Sequence, residues 1–476
     1  MRISILKILA QQVWFSILKT KTAKGLLALM CCLTLFALYS GYQNLDYQQN
    51  MREEYQHQVR HNWENNPDKH PHRMAHYGYI AFREKHPLSF FDFGMESYTG
   101  NAVFLEAHRQ NTVNFSEASL STGILRFGEI HVAMILQVLL PLLIFFWGFN
   151  LIAADRENGT LKILISQGTS WSELIVGRAL GLFSVVSVVL LTGIMGGFMV
   201  LILKNAPLSN FMFLSLFYAV YIFICCLIAV LISAASPSSK AALTQLIGLW
   251  LLFAIILPRV SQAFGQFLYP SPSKIAFETA IEAELIQKGD SHNPNDPYYK
   301  MFKDSVLRAN RVDSVQQLNF NYSGLQMKEG ERISSETYIK HQQNLMKTYE
   351  KQQSIGRLLA FINPFLAIKN LSMALTGTDF ATYTHFQTEA EAYRYRLAQQ
   401  MNDWQIQFIS NKKLGATDKP YFISREFWKQ FPDFHYSFLT IKTVFKNEIL
   451  SIAALLGWLV GLGFMIKMMS KRLKAI

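Results

Sequence analysis

The sequence predicts an α-helical polytopic membrane protein. It comprises six transmembrane helices, an N-terminal interfacial helix and a mainly helical extracytoplasmic domain formed by two insertions. Three observations carry this. Half of the 476 residues are hydrophobic. They gather into separate stretches nearly free of charge, each close to the roughly 20 residues a helix needs to cross a bilayer. Two long polar regions interrupt those stretches, and the basic excess, a net charge of +12, lies near the stretch ends, where it orients a membrane protein.

The elements are taken in chain order. MRISILKILAQQVWFSILK repeats polar residues at Ser4, Lys7, Gln11, Ser16 and Lys19, with Leu9, Val13, Trp14 and Ile17 among the apolar residues between them. This predicts an amphipathic helix on the cytoplasmic membrane surface within residues 1–24. Residues 25–42 form the first span and 43–129 the first extracytoplasmic region. Residues 130–149 form the second span, and 150–174 a short charged cytoplasmic segment. Spans three to five occupy 175–257, separated by KNAPLSN and SPSSK. The second extracytoplasmic region is 258–446, the sixth span 447–466, and 467–476 a cytoplasmic tail.

Six spans place both termini on one side. Arg2, Lys7, Lys19, Lys21 and Lys24 flank the start, and Lys467, Lys471, Arg472 and Lys474 the end. The positive-inside rule makes that side cytoplasmic. The four cysteines, Cys31, Cys32, Cys225 and Cys226, all lie in apolar stretches, which excludes a disulfide framework in the polar regions. The basic charge is explained by orientation and no nucleic-acid-binding pattern accompanies it, so a nucleic acid is not expected as a partner; membrane lipid is.

The polar regions carry helical periodicity. Phe277, Ile281 and Leu285 share one face; so do Tyr338, Leu345, Tyr349 and Ile355; so do Phe386, Ala390, Tyr393, Leu397 and Met401. Turn-rich pieces, KGDSHNPNDPYY and KLGATDKPYF, separate them. The two regions emerge on the same side and are expected to fold together, with some strands that the pattern does not place.

Seven of the twelve histidines lie between positions 57 and 108. His57 and His61 share a helical face, and His72 and His76 repeat the spacing. Imidazole suits zinc, copper or nickel. Proline and asparagine interrupt the run and no metalloprotease spacing appears, so these four are weak metal candidates beside the plainer reading of a histidine-rich polar surface.

From Ala154 to Gly181 the charged segment and the start of span three read ADRENGTLKILISQGTSWSELIVGRALG. Asn158 and Gly159 can break an incoming helix, and Thr160 is a fair N-cap for LKILISQ. The segment resembles the cytoplasmic loop of ABC-2 type transporter permeases, in Glu157, Gly159, Thr160 and Leu161, then Leu164, Ser166, Ser170, Ile175, Gly177 and Leu180. Arg178 stands where a lysine is common, and Gln167–Gly168 where a proline often marks the turn. A second resemblance, to the subgroup with a large extracytoplasmic domain, lies in NFNYSGLQMKEGE, FINPFLAIKNLSMALTGTDF and FQTEAEAYRYRLAQQMN.

The resemblance implies the membrane subunit of an ATP-driven exporter in a bacterial inner membrane. It implies a coupling helix contacting separate cytoplasmic ATPase subunits through Asp155, Arg156, Glu157, Gly159, Thr160, Leu161 and Leu164. It also implies a second permease copy or a related permease. ATP and magnesium are expected in the partner ATPase. This chain has no Gly-x-x-x-x-Gly-Lys-Ser/Thr loop and is not expected to hydrolyse ATP. Gly193 and Gly197, like Gly457 and Gly461, are four apart and allow close helix contact within or between chains. Two other readings stay open. One is a mechanotransmission subunit that moves its outer domain without solute transport; the other is a metal-binding membrane receptor. In the exporter reading the outer domain caps or gates the exit or receives an extracytoplasmic partner.

Overall fold

The computed structural model describes the chain except residues 113–115, 117–118, 120–127, 205, 207, 292, 294, 413–420 and 473–476. Lys474, most of KLGATDKPYF, and Asn205, Pro207, His292 and Pro294 in the two other turns lie outside the described residues. Among those described, six helices are long and apolar enough to cross a membrane: Lys21–Glu64, Val132–Glu157, Trp171–Leu203, Leu208–Ala235, Ser239–Leu268 and Ile449–Lys471. They are numbered here as spans one to six. They form a bundle, and the remaining long helices build a large polar domain at one end of it.

The N-terminal helix, Ile3–Leu18, buries Leu9, Val13 and Ile17 against the start of span three. Gly181 makes that approach possible: a Cβ there would lie 2.7 Å from the Ala10 carbonyl oxygen and from the Val13 Cβ. Span one does not end where its apolar run ends. It continues as one helix of 44 residues, about 66 Å at 1.5 Å per residue. About half of that length exceeds the roughly 30 Å hydrocarbon layer, and it carries the chain into the polar domain, where Trp63 is buried and donates to the Trp428 carbonyl at 3.0 Å.

Spans two and five each contain a proline after a single wide turn, at Ile135–Leu139 and Leu252–Ile256. Proline lacks the N–H that an upstream carbonyl would accept. Neighbouring side chains replace it, as a water-free environment requires. Tyr221 donates to the Gln137 carbonyl at 2.9 Å, Trp250 to the Val138 carbonyl at 2.9 Å, and Asn363 to the Phe253 carbonyl at 2.9 Å. The wide turns are thus held by contacts between elements.

The polar domain is mainly helical: Lys274–Lys288, Pro297–Asn310, Tyr322–Leu359 and Phe380–Phe408. Phe386, Ala390, Tyr393, Leu397 and Met401, expected on one face, are all buried. Among the described residues, the strands the pattern could not place are one antiparallel pair, β1 (Tyr79–Phe82) and β2 (Ala102–Leu105), with Tyr79 opposite Leu105 and Phe82 opposite Ala102. Residues of both insertions share one core, including Trp63, Met74 and Val103 from the first and Phe386, Trp404 and Trp428 from the second. The two insertions therefore make one domain.

Candidate functional site

The charged segment lies at the end of the bundle that also holds the N-terminus. Near its end, span two passes through a turn at 149–152. There the Ser233 hydroxyl of span four accepts from the backbone N–H of Ile152 and Ala153 at 2.9 and 3.0 Å. A short helix, Ala153–Glu157, comes next. Gly159 then adopts a φ of +78°, a left-handed conformation that glycine takes without a Cβ clash, and a second helix runs Thr160–Ser166. Asn158 and Gly159 break the helix as expected. The cap differs: Gly159 is the N-cap, whereas Thr160 is the first helical residue and donates its hydroxyl to the Asp155 carboxylate at 3.0 Å. The segment ends in a capping box between Ser170 and Glu173, and Glu173 also pairs with Arg2 at 2.8 Å.

The three charged residues at its start are bound within the chain. Asp155 pairs with Arg178 of span three. Arg156 donates to the carbonyls of Ala234, at 2.6 Å, and Ser236 at the end of span four. Glu157 accepts from the backbone N–H and the hydroxyl of Ser239 at 2.9 and 2.6 Å, in the first turn of span five. Leu161 is buried and Leu164 packs against the bundle core. The face turned to solvent includes Glu157, Asn158, Thr160, Lys162, Ile163, Ser166 and Gln167, with Ile163 55% exposed. Spacing places Lys162 and Ile163 opposite Leu161 and Leu164, but which face is buried depends on tertiary contacts.

At the opposite end, residues 86–94 drop into the bundle. Leu88, Phe90 and Phe91 join its core, and the Phe91 carbonyl accepts from Ala133 N–H at 2.9 Å. The helix Pro364–Leu375 lies beside them, with Pro364 in its first turn and Asn363 as its cap. A buried polar chain joins the two: Gln137 donates to the Tyr218 hydroxyl at 2.7 Å, that hydroxyl meets Ser372 Oγ at 2.8 Å, and Ser372 donates to Asp92. The run NPF…LSMALTGTD is therefore the joint between bundle and polar domain, and its Asp379 caps the helix Phe380–Phe408.

The paired glycines separate. Gly193 faces Val132 and Thr34, and Gly197 faces the Phe211 ring, so both pack spans of this chain together. Nothing described lies within 4 Å of a Cβ built on Gly461, and only Phe361, at 3.9 Å, approaches Gly457.

The histidines also separate. His57 and His61 sit on the exposed face of the span-one helix. His72 and His76, on the helix Pro71–Tyr77, place their Nε2 atoms 3.3 Å apart. His108, which spacing did not single out, joins them. One ligand atom from each of the three lies within 4.8 Å of the others. His108 lies just after β2 with a φ of +61°, and its backbone N–H and Nδ1 lie 3.1 and 3.2 Å from Glu331 Oε2. Glu331 is fully buried beside Arg394, at 2.7 Å, and Arg394 is also bonded to Glu391 at 2.8 Å. Burial raises the Glu331 pKa, but the His108 hydrogen bond and the Arg394 charge outweigh it and hold the carboxyl at about 2.

Residues 274–437 are similar to a domain of unknown function, DUF3526. That stretch is less than half of the chain. It contains the four long helices of the polar domain and the joint helix. No curated protein matches the chain. The chain is thus a polytopic, transporter-like membrane protein with a large helical domain outside its apolar bundle, and the greater part of that domain is of a recurrent type.

Proposed function

We propose that this chain is the membrane-spanning permease subunit of an ATP-driven ABC exporter, with its termini and charged segment in the cytoplasm of a bacterial cell and its polar domain outside the inner membrane. The observation that carries the proposal is the bracing of the segment between spans two and three. Asp155 ties it to span three, Arg156 to the end of span four and Glu157 to the start of span five. A load applied to Lys162 and Ile163 is distributed to spans two to five at once. A separate ATPase, holding ATP and magnesium, docks on that exposed face. Asp155, Arg156, Glu157, Leu161 and Leu164 act by holding the lever in place, and Gly159 sets its angle. Two permease chains with two ATPases complete the assembly.

A second reading has an observation of its own. Span one runs unbroken into the polar domain and ends at the buried Trp63. Movement of the bundle would tilt that domain without any solute crossing. Transport into sealed vesicles separates the two readings.

The test of the proposal is copurification in mild detergent from the native host, with partner copy number determined by mass. One ATPase per permease chain is expected. Ile163→Asp should lower ATPase recovery or permease-stimulated turnover at least about tenfold, a loss of about 1.4 kcal/mol, with membrane insertion unchanged. Full recovery and full stimulation would refute the docking face; no ATPase under any gentle condition would refute the assembly.

A further inference from the structure

The geometry points to a divalent transition-metal site of the zinc class in the polar domain, held by His72, His76 and His108. The inference is independent of the permease reading, because it rests on side chains far from the charged segment.

Three features converge on it. The first is the donor set. His72 and His76 are one turn apart on a single helix, and His108 comes from the end of the β1–β2 pair. The three are brought together from two separate elements. Imidazole nitrogen suits zinc, copper and nickel and not magnesium or calcium, which prefer oxygen.

The second feature is distance. Zinc binds imidazole nitrogen at about 2.0–2.1 Å in near-tetrahedral geometry, which separates two ligand nitrogens by about 3.3 Å. The His72 and His76 Nε2 atoms are 3.3 Å apart, and one donor atom from each of the three residues lies within 4.8 Å of the others. His76 is exposed, so an ion has an open route in, and three protein ligands leave a fourth position for water or another donor.

The third feature is the support behind His108. Metal-bound histidines commonly give their second N–H to a carboxylate, which fixes the ring and its tautomer. Glu331 Oε2 is 3.2 Å from His108 Nδ1 and also accepts the His108 backbone N–H at 3.1 Å. Glu331 is itself fixed by Arg394. With Nδ1 held by Glu331, Nε2 is the nitrogen left to bind the ion. The left-handed backbone at His108 is uncommon for a non-glycine residue, and it is the conformation that holds both contacts.

His57 and His61 repeat the i, i+4 spacing but gain no third ligand: among the described residues, the donor atoms that converge are those of His72, His76 and His108. An ion there would tie the helix Pro71–Tyr77 to the strand pair.

The experiment uses the full chain in detergent, expressed without a polyhistidine tag and stripped with a chelator, then titrated with cobalt(II) and zinc(II) alone. One cobalt per chain is expected, with the intense visible absorption of a near-tetrahedral ion, displaced by zinc. His76→Ala and His108→Ala should each weaken binding at least about 10-fold. The double variant His57→Ala/His61→Ala should bind as the parent does. His76 is at the surface, so its replacement leaves the core intact, and thermal unfolding of each variant in chelator checks this. Absence of stoichiometric cobalt in the parent would overturn the inference and leave a histidine–histidine hydrogen bond in its place. Unchanged affinity in His76→Ala, or loss of binding in the His57/His61 double variant, would overturn it as well.

Discussion

His86 lies between the joint and the polar domain, 8% exposed, with its ring edge-on to Phe438 at 5.1 Å and its Nδ1 accepting from Leu88 N–H at 3.1 Å. Burial disfavours the charged ring and lowers its pKa from the usual 6.5 to about 4. In an unfolded polar domain the same ring takes up its proton near pH 6.5. The unfolded state therefore gains a proton that the folded state refuses as pH falls from 6.5 to about 4. Stability is lost across that window, by on the order of 3 kcal/mol, and the loss levels off below it. Hydrogen-exchange protection of the polar domain should fall accordingly, and His86→Asn, which keeps an acceptor for Leu88, should flatten that part of the profile. An unaltered profile would mean that His86 is not the group responsible. At this scale the sequence is only partly legible. The charged run from Asp155 to Glu157 is evident, but its partners Arg178, Ala234, Ser236 and Ser239 lie in other spans or the turn between them, and local spacing holds no record of them. His108 escapes local pattern for a similar reason: it is 32 positions from His76, and only the strand pair brings it near.

Elements are far more legible. Apolar runs of spanning length and helical periodicity are local properties, and each produced a helix close to where the pattern placed it. The ends of the elements are less so. Span one continues to Glu64 and span five to Leu268, because a helix already nucleated propagates through polar residues at little cost, whereas hydropathy falls at once. The N-terminal helix shows what an element needs from its neighbour. Its buried face, Leu9, Val13 and Ile17, meets span three where Gly177 and Gly181 leave room. Gly181→Val should push the helix off the bundle, since even a Cβ would meet the Ala10 carbonyl at 2.7 Å. Overpacking of this kind costs about 1–3 kcal/mol. Protease or thiol-reagent access to a cysteine placed at Leu9 should rise in that variant, and unchanged access would show that the helix is held by the membrane alone.

At the scale of the whole molecule, bundle and polar domain meet through the span-one helix, the segment 86–94, the joint helix Pro364–Leu375 and the end of span five, where Gly265 packs on Gln352. The span-one helix is the rod that ends in the core of the polar domain, at Trp63. Tyr47 is exposed on it, beyond the apolar run and before Trp63, so Tyr47→Pro breaks the rod without entering either core, at a cost of about 3 kcal/mol. If the rod carries motion, spin labels on the bundle and the polar domain should lose their nucleotide-dependent distance change in that variant while the bundle keeps its own. A retained change would assign transmission to the other connections. Composition and periodicity alone determined that this is a six-span helical membrane protein with a polar domain from two insertions, because hydrophobic length and helical pattern are written residue by residue. Tertiary structure alone decided which residues of the two insertions meet in the shared core, that the charged residues brace the segment and leave Lys162 and Ile163 to solvent, and that three histidines converge. Each of these joins residues that are distant in the chain, and packing between elements, unlike periodicity within them, cannot be read from neighbours in sequence.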